Sequence, residues 1–385
     1  MKPFTVNDLL ETAKQRAGLA DFGPGEFVEG LAVLVNGLNN DVKVVEDRRD
    51  NLRDWLINLL VNRLRFQHDL ILHPEILDED LGTPAIITSM PRTASTKLHR
   101  MLAASNDFQV LKFWHVHMFA RIPDMADGGK SQRIKETQEF ERWMYEVCPQ
   151  MLNGHPQFTY EAEEDSYLNE CTFKLQMLAG RFGSETYQNW LATVDVSSSY
   201  AYLRTQLQYL QWQNKAQADK PWLLKAPGNF GMEQRLFDLY GGARFVMTHR
   251  DPVKCIPSIS SVVLGTRELF LEQTTYEKAG LDMSNFFSHQ VQEHMRWRDE
   301  NPDLPILDLG FDEITFDGIS AVRKLYNFLD ISLSVEAENA MLAWERNNAK
   351  GKHGTHKYSI EGSGLTEEGT KKDYEEYIQR YSDYF

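Results

Sequence analysis

Apolar residues recur at helical spacing early in the chain. Leu52, Trp55, Leu56, Leu59, Leu60 and Leu64 form one stripe, the pattern of a helix that buries one face. No heptad persists, so the stripe predicts packing on a larger body rather than a coiled coil. His73-Pro74 ends it, because the residue before a proline is driven out of the α region. The period then changes. Pro84–Thr88 is a short apolar run suited to a parallel strand buried on both faces. A small-residue loop follows, then Leu98, Met101 and Leu102 at helical spacing. The same alternation restarts at Trp222-Leu223-Leu224 and at Arg244–Thr248, and Pro305–Leu309 reads as a fourth short strand. Leu203, Leu207 and Leu210, and the stretch Ala321–Leu329, mark helices between them. Strands alternating with helices predict an α/β fold, a parallel sheet flanked by helices. The division expected is an N-terminal helical extension over 1–80 and an α/β domain over 81–385, without internal repeats. The polar, Gly-rich tail from Asn347 to Gly364 reads as loop.

Ligands of open α/β sheets bind at the carboxyl ends of the strands. Pro91-Arg92-Thr93-Ala94-Ser95-Thr96 follows the first strand and feeds a helix N-terminus. Unpaired backbone N–H groups and the helix dipole favour an anion there. The Thr93, Ser95 and Thr96 hydroxyls and the Arg92 and Lys97 charges add to a cradle for phosphate or sulfate. Taken alone, the loop fits plain helix capping equally well. It is not a Walker A loop, which needs a Gly-Lys-[Ser/Thr] ending, and it is not GxGxxG. The second element is His249-Arg250-Asp251-Pro252 at another strand end, with Asp251 as N-cap and Pro252 at the first helical position. Arg250 ends the strand and Ser258 follows about two turns into the helix. A guanidinium fork and a hydroxyl so placed can hold one phosphate from two sides. A capping salt bridge between Arg250 and Asp251 is the competing arrangement.

Charge narrows the partners. The 385 residues hold 41 Lys+Arg against 56 Asp+Glu, a formal net charge of −15. That excess disfavours nucleic acid and anionic membrane surfaces, which need clustered positive charge, but not a small anion held locally. The basic residues fall into islands: Arg92, Lys97, His99 and Arg100; Arg244, His249, Arg250 and Lys254; and the tail from Lys350 to Lys357. Cys148, Cys171 and Cys255 are too dispersed for a disulfide framework or a zinc knuckle and read as buried thiols in a reducing compartment. No apolar run approaches the ~20 residues of a bilayer span, and the segment MKPFTVNDLLETAKQ has no signal-peptide apolar core. A cytoplasmic protein acting on a small molecule is expected, with no stable membrane insertion. The N-terminal helices offer a surface for a homo-oligomer.

With both loops in view, the chain resembles the sulfotransferases, in particular their bacterial branch. These enzymes move a sulfuryl group from 3′-phosphoadenosine 5′-phosphosulfate (PAPS) to a hydroxyl or amine. Pro91–Thr96 matches their first motif, with Ala94 where Gly is usual and Arg92 as the loop cation, and Leu98-His99-Arg100-Met101-Leu102 follows it. Arg250 and Ser258 match the second. Leu224-Lys225-Ala226-Pro227, Leu325-Tyr326-Asn327-Phe328-Leu329 and the tail Gly351–Ser359 are similar as well. The likeness runs from about Pro84 to the C-terminus.

The resemblance implies a P-loop NTPase-like sulfotransferase fold with PAPS as donor and no metal. Arg92 is then expected at the oxygen bridging phosphate and sulfate. The amides of Thr93, Ala94, Ser95, Thr96 and Lys97 fall at the 5′-phosphate, and Arg250 with Ser258 at the 3′-phosphate. Lys225, Lys357, Tyr358 and the basic tail are expected to close over the nucleotide. If position 94 requires φ > 0 or a close backbone approach to phosphate, alanine is worse there than glycine. For the base that takes the acceptor proton, His115 of Trp114-His115 comes first, where the bacterial branch has Trp-Glu. His155 of His155-Pro156, with Glu161, Glu163 and Glu164 beside it, comes second. His115 and His117 lack a third ligand for a metal. Two other functions stay open: a Mg-ATP-dependent P-loop kinase-like enzyme, and a catalytically silent nucleotide-binding protein of the same fold. The acceptor is not identified.

Overall fold

In the computed structural model, which describes residues 2–349, 352, 354 and 356–385, the apolar run after Pro84 forms a fully buried strand. A two-stranded antiparallel ribbon pairs Lys43–Val44 (β1) with Leu271–Glu272 (β5). The main sheet holds Ala85–Thr88 (β2), Leu223–Lys225 (β3), Arg244–His249 (β4) and Ile306–Gly310 (β6) in the order β3-β2-β4-β6. All neighbours are parallel, with Ala85 opposite Leu223 and Arg244, and Val246 opposite Leu307.

Strand alternation divides the core. Ile86, Leu224 and Phe245 face one apolar cluster; Ala85, Ile87, Leu223 and Val246 face another with Leu98, Met101, Leu325 and Met341. The first cluster also contains Leu9, Leu31, Leu56 and Leu60 from the N-terminal helices Val6–Ala17, Phe27–Asn40 and Arg49–Leu72. All six members of the predicted stripe are buried. The N-terminal helices and one face of the sheet therefore share a continuous core.

Two elements were not anticipated. The β1–β5 ribbon depends on a partner far along the chain, which no local pattern announces. The helices Glu367–Asp373 and Glu375–Tyr381 bury Tyr374, Tyr377 and Tyr381 against Met247, Ile256 and Phe287. Segment 356–359 before them is irregular, as expected. Lys350, Gly351, His353 and Thr355 lie outside the described residues. Cys148, Cys171 and Cys255 are buried free thiols. Among the described residues no helix is long and apolar enough to cross a membrane.

Candidate functional site

The loop after β2 reaches the helix Ser95–Ala103 through two left-handed residues, Arg92 (φ 69°) and Ala94 (φ 67°). The first backbone bond of that helix runs from Leu98 N–H to Ala94 O at 3.1 Å. The Ser95, Thr96 and Lys97 amides accordingly have no partner among the described residues. Thr93 differs from expectation. It is fully buried, and its Oγ1 lies 3.1 Å from Ser89 Oγ and 2.6 Å from Thr248 Oγ1 while donating to Met90 O at 3.0 Å. That hydroxyl is bound by protein partners and ties the loop to β4. Ser95 and Thr96 do line a cavity with Arg92.

Arg92 and Arg250 meet there. Arg92 Nε donates to Ser258 Oγ at 3.0 Å, and its Nη1 to Gly154 O at 2.8 Å. A Cβ on Gly154 would stand 3.1 Å from Val262 Cγ2, so glycine lets this carbonyl approach. Arg250 donates through Nη1 to Arg92 O at 2.9 Å and through Nη2 to Tyr358 Oη at 3.4 Å, while its guanidinium lies 4.0 Å over the Phe311 ring. Asp251 accepts from Val253 N–H at 2.9 Å as the N-cap, so it is no salt-bridge partner of Arg250. Burial, then the neighbouring Arg250 cation, lowers the Arg92 pKa. Two guanidinium groups with neutral hydrogen-bond partners form a local excess of positive charge.

The remaining basic candidates are committed elsewhere. Lys97 Nζ binds Glu345 Oε1 at 2.5 Å and Thr315 O at 2.8 Å, which turns its charge from the loop. His99 is buried and pushed down to about 3 by desolvation, then by Lys225. His249 is buried between Tyr377 Oη and Asp308 Oδ1, at 2.8 and 2.7 Å. Arg244 opens β4 and so stands at the amino end of the sheet. Arg100 donates to Pro156 O at 2.7 Å and Ala162 O at 3.1 Å, pinning both ends of the loop that presents the acids.

His155 enters the Arg92 cavity and His115 does not. His155 follows the short helix Met151–Gly154, and its Nε2 is 3.0 Å from Glu163 Oε1. Burial opposes ionisation of Glu163, but His155, Arg100 and Lys225 outweigh it and hold the carboxyl at about 2. Glu163 Oε1 accepts from Nε2–H of the His155 ring, so the nitrogen left to exchange a proton with an acceptor is Nδ1. Buried Lys225, at the end of β3, donates to Glu164 Oε1 at 2.6 Å. Burial raises Asp165 to about 6, and its Oδ2 accepts from Asn229 at 2.9 Å. Donor atoms of His155, Glu163 and Glu164 lie within 4.8 Å of one another. Lys225 and Arg100 already stand against those carboxylates, which opposes a further cation.

His115 lies instead in the five-residue helix Phe113–His117, where its Nδ1 accepts from Lys112 N–H at 3.1 Å. Its cavity is lined by Gln109 and Trp222, which bridge just before β3, and so belongs to the amino end of the sheet.

The Arg92 cavity has a volume of about 160 Å³ and mostly apolar walls, among them Leu175, Met177, Val263, Met283, Phe286 and Phe287. Arg181 on its wall is ion-paired with Glu170 at 2.6 Å. A second cavity of about 380 Å³ shares His155, Tyr167, Val262 and Thr266 with it and reaches His356 and Lys357. His356 Nε2 is 3.1 Å from Ser261 Oγ, and Tyr276 Oη donates to Ser359 O at 3.1 Å. The tail thus lies across the helix that carries Ser258. Phe311, Gly154 O and Tyr276 were missed from the sequence, because an aromatic ring, a glycine carbonyl and a distant tyrosine carry no local motif.

Comparison with known proteins agrees with this fold. A family model described as sulfotransferase family matches residues 84–335. The structure is similar to that of sulfotransferase STF9 from Mycobacterium avium, with TM-score 0.85, 24% identity, and coverage of 98% of this chain and 96% of that one. It is also similar to sulfotransferase STF1 from Mycobacterium tuberculosis H37Rv, with TM-score 0.81, 25% identity, and coverage of 96% and 98%. A search of curated protein sequences gives no match.

Proposed function

Because the chain belongs to the sulfotransferase family, we propose that it transfers a sulfuryl group from PAPS to the hydroxyl of a small acceptor with an apolar body. The observation that carries this is the junction of the two anion loops, Arg92 Nε on Ser258 Oγ at 3.0 Å with Arg250 on Arg92 O at 2.9 Å. Two cations with neutral partners and a run of unpaired amides suit a dianionic nucleotide end.

In this reaction the acceptor oxygen attacks sulfur, the bond from sulfur to the phosphate oxygen breaks, and the 3′,5′-bisphosphate leaves. Arg92 offsets the negative charge that grows on the leaving oxygen, and the Ser95, Thr96 and Lys97 amides hold the 5′-phosphate. Arg250 and Ser258 hold the 3′-phosphate, with Tyr358 and Lys357 of the tail beside them. His155 takes the acceptor proton on Nδ1, and the ionised Glu163 balances the imidazolium that forms. The apolar walls orient the acceptor and keep water from the sulfur.

The kinase-like alternative calls for a lysine at the outer phosphates. The Lys97 ammonium is instead bound by Glu345 and Thr315 O. Titration with the 3′,5′-bisphosphate nucleotide and with Mg-ATP separates the two, and labelled donor with a panel of alcohols and phenols tests turnover. Tight binding of the bisphosphate with transfer to an apolar alcohol or phenol is expected. Binding of Mg-ATP alone overturns the proposal.

A further inference from the structure

The cavity that holds His115 has a volume of about 640 Å³. Lys112, Arg121, Lys130 and Arg133 line it, together with the rings of Trp114, Trp212 and Trp222. The chain carries 56 acidic residues, yet among the described residues none of these four cations is ion-paired with a carboxylate. Asp127 also lines the cavity; among the described residues it makes no direct ion pair, but its carboxylate acts on Arg133 through space.

Arg133 is the clearest case. It is 2% exposed and donates to Met118 O, Phe119 O and Gln213 Oε1 at 3.3, 2.8 and 3.0 Å. Its Nε is buried with no partner. A buried guanidinium with one orphaned donor and hydrogen bonds only to neutral groups costs free energy, which the Asp127 carboxylate offsets in part and an anion in the cavity offsets further. The Arg121 guanidinium lies over the Trp212 ring, 5.1 Å from its Cζ, and among the described residues it makes no side-chain hydrogen bond or ion pair. Lys130 and Arg133 stand 6.0 and 5.2 Å from the Trp114 ring centre. These are weak cation–π contacts; with one carboxylate, Asp127, beside four cations they leave a net positive charge and hold flat apolar faces beside it.

His115 completes the wall. Burial, then Lys112, Arg133 and Lys130, pushes it down to about 3, so it adds no charge. Its Nδ1 accepts from Lys112 N–H, so the neutral ring carries its proton on Nε2, and the Val110 backbone is its other hydrogen-bond partner.

We propose that this cavity is a second ligand site, for a small organic anion built on a flat ring, with a carboxylate or sulfate ester as the charged group. The cations hold the charged group and the indole faces hold the ring. The cavity stands apart from the proposed sulfuryl-transfer site, at the opposite end of the sheet.

Calorimetric titration of the full chain, with saturating 3′,5′-bisphosphate nucleotide present, tests it. The probes are naphthoate, naphthyl sulfate and neutral naphthol. Both anions should bind one molecule per chain, with naphthol at least about tenfold weaker. Lys112 and Lys130 are exposed, so the double variant Lys112→Met with Lys130→Met should keep the wild-type thermal midpoint. It should lose at least about tenfold in affinity for both anions. Equal affinity for naphthol and naphthoate, or anion binding that ignores the two lysine substitutions, overturns the proposal. Arg133→Lys provides a second reading: it retains the charge but loses the fork, and should weaken both anions without strengthening naphthol.

Discussion

Arg92 and Ser258 are 166 residues apart in sequence, and Arg92 Nε donates to Ser258 Oγ across 3.0 Å. The bond closes the loop after β2 against the helix after β4, and Arg250 doubles the closure through Arg92 O. Arg250→Ala should therefore weaken binding of the 3′,5′-bisphosphate nucleotide by about 10–100-fold, the loss of a charge-assisted hydrogen bond. Ser258→Ala should cost less, about tenfold or below. Calorimetric titration of both variants checks this, and unchanged affinity for Arg250→Ala removes that residue from the site.

His155→Ala should lower kcat by about 10²–10⁴-fold while nucleotide affinity stays near wild type. His115→Ala should leave kcat close to wild type, because its ring opens on the other cavity. A large loss in His115→Ala with full activity in His155→Ala would reverse the assignment of the base.

Glu163 links activity to acid stability. Its pKa is held down at about 2 against an ordinary value of 4.5. A depressed carboxyl contributes stability that is fully present above its unfolded pKa and lost as pH falls through the folded one. Between about pH 4.5 and 2 the wild type should lose stability that Glu163→Gln does not lose. The same variant should shift the acid-side limb of the pH–rate profile of kcat, where the base loses its proton, with Glu163→Asp restoring part of the shift. Thermal unfolding across that pH range and a pH–rate profile are the measurements. Parallel acid limbs for wild type and Glu163→Gln would show that the carboxylate is not held ionised.

Ala94 sits at φ 67°, where an L-residue with a Cβ is strained by about 1–2 kcal/mol. Ala94→Gly relieves that strain and frees the unfolded chain, so a net gain of about 1 kcal/mol or less is expected. A rise in the urea midpoint with an unchanged slope checks it; a fall would mean the left-handed turn is relaxed with alanine.

Local patterns were legible and directions were not. The apolar run before the loop, Asp251 capping with Pro252 behind it, and the buried stripe on Arg49–Leu72 all follow from spacing a few residues long. Which charges face the site depends on contacts across the fold. Lys97 and Arg100 both looked like site cations, but one turns to Glu345 and the other to the Pro156 and Ala162 carbonyls. His115 follows the loop's helix in sequence, yet the Gln109–Trp222 bridge returns the chain to the amino end of the sheet. His155 reaches the site because Arg100 fixes the ends of its loop, a relationship invisible until the strands are ordered.

The shared core of Leu31, Leu56 and Ile86 has a bearing on how such proteins are cut down. The sulfotransferase match spans 84–335, but one face of its sheet is sealed by helices before that span. Tyr374, Tyr377 and Tyr381, after it, cover Met247 of β4 and Ile256. The inherited module is thus smaller than the cooperative folding unit. A fragment trimmed to the module would expose apolar faces on two sides and aggregate before it could bind any nucleotide.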